Sequence, residues 1–285
     1  MEYLNAASFM EAAGWVARLK MYPYVDFAYY TLNVMAVRDD LASGANLFSR
    51  KHPLSCWLAS MVMCFAGGIL ANFLCGESVI APFQKTDDVL LATVIWYMVF
   101  YSPFDLTATL IKFFPCKVVL SVLKEVRRAF NVHYGVAHAA KVFPHAYLIM
   151  VIVGVAKGAG SGILKTFEQL IRGVWVPSGN EMLRPTFYTK ACILGAIVFT
   201  LEKRGGFFDL PHELVYLAVV AFFVYFKLSS LFLGIHDPFL PFENLFCALF
   251  MGGIWDALNR AVTASKERKG ITASSSPSEE EKKDQ

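Results

Sequence analysis

The sequence predicts an all-α membrane protein with seven transmembrane helices, arranged as two inverted three-helix repeats plus a seventh helix. Hydrophobic residues fill 56% of the 285 positions, only 17% are charged, and the mean hydropathy is +0.48. A soluble domain of this length needs a polar surface, so the excess apolar sequence must face lipid. Several stretches approach the about 20 mostly apolar residues that one helical crossing requires. Reading the first six spans as two three-helix repeats, the second is inverted, because a second copy of an odd-numbered unit enters the membrane upside down.

The spans fall at about residues 22–37, 54–74, 89–111, 114–131, 146–171, 187–201 and 214–233. An amphipathic stretch from Phe9 to Leu19 precedes the first, and the third is expected to bend near Pro103. The second and fifth spans correspond across the repeats, and both carry mid-depth glycines: Gly67 and Gly68 in one, Gly154, Gly158, Gly160 and Gly162 in the other. Residues 1–235 thus form a seven-span domain. The apolar run at 245–255 is about half a crossing long, so residues 236–259 read as an interfacial or short C-terminal helix. From Arg260 to the end at 285 the charged, Ser-rich sequence has nothing to bury and reads as a disordered tail.

Charge placement orients the array. With the N-terminus lumenal, the cytosolic loops hold Arg38, Arg50, Lys51, Lys112, Lys117, Lys165, Arg172, Arg184 and Lys190, followed by the basic tail. The opposite loops hold Lys85, Lys141, Lys203 and Arg204, so the C-terminus is cytosolic by the positive-inside rule, although Arg18 and Lys20 run against it. The net charge of +3 is too small to suggest nucleic acid as a partner. The six cysteines lie in or beside apolar stretches with no C-x-x-C pair, which fits buried free thiols. The N-terminal Met1-Glu2-Tyr3-Leu4 lacks the basic start of a cleaved signal peptide, so the first helix is expected to remain.

Three features carry chemistry. Lys124-Glu125-Val126-Arg127-Arg128 lies inside the fourth span. A basic residue at the centre of a lipid-facing helix costs roughly 2.5–3.5 kcal/mol, so these residues face a polar cavity or find anions. Lys124 and Arg128 are four apart, on one helical face, and together suit a phosphate; an internal pair with Glu125 is the other reading. The second feature is the Gly154, Gly158, Gly162 series with Gly160 and Lys157 interleaved. Four-residue glycine spacing permits close helix packing, and it also suits a hinge or an exposed backbone beside a pore. The third pairs breakers with acids: Pro23 with Asp26, and Pro103 with Asp105. Asp26 is a candidate for an ion path or for a salt bridge to those basic residues. His133, His138 and His145 do not fit a zinc spacing. No Walker loop, H-E-x-x-H or G-x-S-x-G is present, and nothing pairs a nucleophile with a base, so no enzyme is predicted.

Several runs together resemble the TRIC family, the trimeric intracellular cation channels, in its animal form. They are Ser49-Arg50-Lys51-His52-Pro53 leading to Cys56-Trp57-Leu58, Trp96-Tyr97 through Pro103-x-Asp105, and Lys124-Glu125-Val126-x-Arg128. Lys157-Gly158-x-Gly160 and Phe167-Glu168-Gln169-Leu170-Ile171-Arg172-Gly173-Val174-Trp175 complete the match, over about residues 10–235. The resemblance implies a homotrimer of endoplasmic or sarcoplasmic reticulum and nuclear membranes, with a pore in each protomer. Such channels pass potassium and sodium as counter-ions and are linked functionally to calcium-release channels. It further implies that Lys124 and Arg128 hold the headgroup of phosphatidylinositol 4,5-bisphosphate, a bound membrane lipid. It also places a regulatory lumenal calcium site at Gly76, where a backbone carbonyl is a suitable hard-cation ligand. One departure is Asn131, where the family motif K-E-V-x-R-x-x-K has a second lysine. Inverted repeats and broken helices also suit a secondary transporter, and an inositide-binding structural membrane protein is a third reading.

Overall fold

The structure, a computed structural model, describes residues 2–176, 179–205, 210–234, 237, 239–260 and 263, with side chains from Met10 onward. All regular elements among the described residues are helical. The chain divides into two units, Met1–His236 and Asp237–Gln285.

In the first unit, α1 (Glu2–Ala17) precedes α2 (Tyr24–Leu41), a short α3 (Ala45–Lys51) and α4 (Pro53–Cys75). Then come α5 (Thr86–Tyr101), α6 (Leu106–Lys112), α7 (Phe114–Val142), α8 (Tyr147–Ile163) and α9 (Lys165–Ile171). The last two are α10 (Phe187–Arg204) and α11 (His212–Leu233). Prolines open α4 and α7, where the missing N–H has no partner to lose and the ring pre-sets a helical φ. Gly76 and Gly234 close α4 and α11 in the left-handed conformation that lets a helix end turn away.

The helices pack in two threes, with α2, α4 and α5 touching one another in one group and α7, α8 and α10 in the other. The groups meet along α4 against α8 and α2 against α7, while α11 lies on α7 and α1 lies on α11. Buried aromatic and sulfur side chains from the first group, among them Tyr30, Met61, Phe65 and Phe100, form one continuous core.

By length and composition, Pro53–Cys75, Tyr147–Ile171 and His212–Leu233 are each able to cross a membrane. Thr86–Tyr101 with Pro103–Lys112 makes a fourth crossing if the two are one span, but they bend by 97°. The expected kink at Pro103 is therefore a corner. Pro103 cannot donate to the helical ladder, and Phe104 and Asp105 both take φ of 54°, turning the chain before α6. Helices α2, α7 and α10 do not pass that composition test, because they carry charged residues. Many of those residues are buried against neighbouring helices, as with Asp26, Glu125 and Arg128.

Helix α7 runs 29 residues to Val142, beyond the expected end at residue 131. The polar residues that end its apolar run still face protein: His133 packs on His212, and Gly135 admits the backbone of α8. In the second unit, α12 (Leu240–Phe250) buries no residue. Apart from Arg260 and Thr263, the expected disordered tail lies outside the described residues.

Candidate functional site

The basic run of α7 projects toward α2, α10 and α11. Lys124 Nζ donates to Asn33 Oδ1 on α2 at 2.7 Å. One turn on, the Arg127 guanidinium pairs with Asp26 Oδ1 on the same face of α2 at 2.8 Å. Arg128 pairs within its own helix, Nε to Glu125 Oε2 at 2.9 Å, and its guanidinium lies 4.6 Å from the centre of the Tyr188 ring of α10. From α11, Lys227 Nζ donates to the Tyr188 hydroxyl at 2.6 Å. Asp26, Asn33, Glu125 and Arg128 are all buried.

Charges balance only in part. At an effective dielectric near 20, opposite charges about 4 Å apart attract by about 4 kcal/mol. That matches the insertion cost of one basic residue, so Arg127 and Arg128 are each accounted for by a carboxylate. Lys124 and Lys227 rest on a neutral amide oxygen and a neutral phenol, and neither meets a carboxylate among the described residues. Lys157 of α8 likewise sits over a ring, 4.0 Å from the centre of Tyr134.

The glycines sit at helix crossings. A Cβ on Gly67 would lie 2.2 Å from the Lys157 carbonyl oxygen, and one on Gly160 would lie 2.5 Å from Gly67 Cα. Gly158 faces Val132 and Cys192, Gly68 faces Pro82, and Gly162 faces the Glu181 carboxylate. The α4–α8 crossing is thus backbone on backbone. Gly76 is exposed at the end of α4, and a Cβ there would meet nothing within 4 Å. Pro103 begins the corner between α5 and α6. No group of three metal-binding side chains occurs among the described residues.

Residues 42–234 match the family described as TRIC channel. A trimeric intracellular cation channel type 1B.1 of Caenorhabditis elegans is 58% identical over 99% of this chain and 97% of that protein. A solved trimeric intracellular cation channel from C. elegans with bound Ca2+ aligns at 59% identity, covering 81% of this chain and 99% of that one, with a TM-score of 0.76. A further structure, described as giving the structural basis for activity of TRIC counter-ion channels in calcium release, aligns at 33% identity and a TM-score of 0.74. It covers 79% of this chain and 99% of the other.

The chain belongs to the TRIC channel family. TRIC proteins are ion channels and not enzymes. The TRIC-matched stretch holds Gly67, Gly68, Gly76, Pro103, Lys124, Arg128, Gly158, Gly160 and Gly162, while Asp26 precedes it.

Sequence reasoning missed a second TRIC cluster, an ionic collar where α2 ends. Asp40 accepts from Arg172 at 2.5 Å and pairs with Lys165 at 3.1 Å. Arg172 also pairs with Glu168 at 2.6 Å, and both side chains are 1% exposed. Arg38 binds Asp105 at 2.9 Å and the Val99 carbonyl oxygen, and Asp39 pairs with Lys112 at 2.8 Å. Three consecutive residues of α2 therefore tie down α5, α6 and α9. The i,i+4 acid–base spacing of Glu168 and Arg172 was a readable signal; the partners from α2 were not. Asp40 lies beyond the predicted first span. Burial alone would push its carboxyl up, and hydrogen bonds from Arg172, Lys165 and Gln169 outweigh that, holding it below the ordinary carboxylate value.

Proposed function

We propose that the protein is a monovalent-cation channel, passing potassium and sodium, that supplies counter-ion current during calcium release and uptake. The observation that carries this reading is the surplus of buried and half-buried cations on α7 and its neighbours. Cations pass such a path only where the fixed positive charges are neutralised or displaced. An anionic lipid headgroup at Lys124 and Arg128 does that, which makes phosphatidylinositol 4,5-bisphosphate the gating ligand.

The functional unit in this reading is a homotrimer with one water-filled path per protomer, supported by the trimeric name of the relatives. The helices α2, α4, α5 and α7, α8, α10 are the two inverted repeats, α11 is the seventh span, and residues 1–235 form the channel domain. Asp26 faces this path, and Gly67, Gly68, Gly158, Gly160, Gly162 and Pro103 set its shape by close packing and bending. Lumenal calcium acts at the exposed carbonyl of Gly76, a reading supported by the Ca2+ bound to the C. elegans relative. The membrane is that of the endoplasmic or sarcoplasmic reticulum and the nucleus, with the N-terminus lumenal and the C-terminus cytosolic. Residues 236–259 lie at the membrane interface.

Lys124→Ala with Arg128→Ala tests the clamp by phosphoinositide binding to purified protein. The double variant loses most of its affinity, and unchanged binding would remove the gating ligand from this account.

A further inference from the structure

Lys227 is a lone cation in the apolar run Phe222-Phe223-Val224-Tyr225-Phe226-Lys227-Leu228 of α11. Its ammonium lies 4.9 Å from the centre of the Tyr188 ring and donates to that residue's hydroxyl. The Arg128 guanidinium approaches the same ring at 4.6 Å. Two cations gathered on one neutral ring repel each other, and a phenol hydroxyl cancels neither charge. Across the site, Asn33 is 1% exposed and its amide oxygen accepts from Lys124. Helices α2, α7, α10 and α11 therefore bring Asn33, Lys124, Arg128, Tyr188 and Lys227 together, with Glu125 the carboxylate paired to Arg128.

We infer that Lys227, held in place by Tyr188, is the contact that distinguishes a bisphosphorylated inositol headgroup from a monophosphorylated one. The inference rests on the reading of Lys124 and Arg128 as a phosphoinositide clamp. Lys124 and Arg128, less Glu125, leave a surplus of one positive charge. A single phosphate monoester, carrying about −1.5 to −2, satisfies that. Lys227 adds a third cation from a different helix, held on Tyr188. A phosphate clamped between Lys124 and Arg128 is spent on those two, so a second phosphate on the same ring is the partner left for Lys227. Tyr188 fixes the ammonium in advance, so less rotamer freedom is lost on binding.

Full-length protein in nanodiscs is titrated with vesicles containing the 4-phosphate or the 4,5-bisphosphate of phosphatidylinositol. Soluble inositol 1,4,5-trisphosphate and inorganic phosphate serve as competitors. Lys227→Met lowers bisphosphate affinity about tenfold, as expected for one charge-assisted hydrogen bond, and moves monophosphate affinity less than about twofold. Lys227→Arg retains the native preference. Tyr188→Phe, which keeps the ring and drops the acceptor, gives an intermediate loss for the bisphosphate only. Competition by the soluble trisphosphate assigns recognition to the headgroup, whereas equal competition by inorganic phosphate would overturn it. Equal losses for both lipids in Lys227→Met, or no loss for either, would also overturn the assignment. Native affinity in Lys124→Ala with Arg128→Ala sinks the clamp itself, a distinct result from failure at Lys227 alone.

Discussion

Gly160 of α8 rests on Gly67 of α4 with no side chain between them: a Cβ on Gly160 would lie 2.5 Å from the Gly67 Cα. Backbone occupies both sides of this crossing, so neither helix can yield by rotating a side chain. The two three-helix groups meet here, and anything that separates α4 from α8 also shifts Lys157, whose carbonyl oxygen abuts Gly67.

Gly160→Ala and Gly67→Ala each destabilise the protein at the upper end of, or beyond, the about 1–3 kcal/mol typical of overpacking. Thermal unfolding of detergent-solubilised protein reads this as a clear drop in Tm. Gly76→Ala is the comparison. Nothing crowds that position, so only its left-handed φ of 73° opposes alanine, at a cost of about 1–2 kcal/mol.

Asp26→Asn leaves the Arg127 guanidinium without its carboxylate in a buried setting. Breaking one side of a buried pair costs about 3–5 kcal/mol. Adding Arg127→Gln recovers part of that loss, because the orphaned charge leaves with it. A double-mutant cycle on thermal stability measures the coupling, and additive losses would mean that the pair does not interact.

The collar confers a pH dependence whose sign follows from Asp40. Its folded carboxyl titrates below the unfolded value, so the stabilisation is fully present above the unfolded pKa near 4. It is lost as pH falls through the lower folded value. Native protein therefore loses stability between mildly acidic and strongly acidic pH, and Asp40→Asn flattens that part of the curve. Thermal melts over an acid series check both. A variant as acid-sensitive as the native chain would assign the dependence to other groups.

The class of fold was legible because lipid-facing surface leaves its mark on composition, and Pro23, Pro53, Pro103 and Gly76 punctuate helices as their chemistry requires. Span ends were less legible where polar residues face protein: the fourth span, expected to end at residue 131, lies in a helix that continues to Val142, with His133 packed on His212. Lys124 and Arg128 announced themselves as charges in apolar sequence. Their partners did not, because Asn33, Tyr188 and Lys227 lie 91 residues before Lys124, 60 after Arg128 and 39 after Tyr188. The collar stayed hidden for the same reason. Asp40 and Arg172 are 132 positions apart, and only folding brings them to 2.5 Å.

In the proposed channel, an inositide at Lys124 and Arg128 neutralises the fixed positive charge along the cation path. Single-channel recording of the purified protein in planar bilayers tests it most directly, in potassium solution with and without phosphatidylinositol 4,5-bisphosphate. Stepwise potassium currents are expected, with an open probability that rises with the lipid. In Lys124→Ala with Arg128→Ala, that open probability changes and its dependence on the lipid is lost. Absence of any conductance with the lipid present, or a double variant that gates as the native protein does, would contradict it.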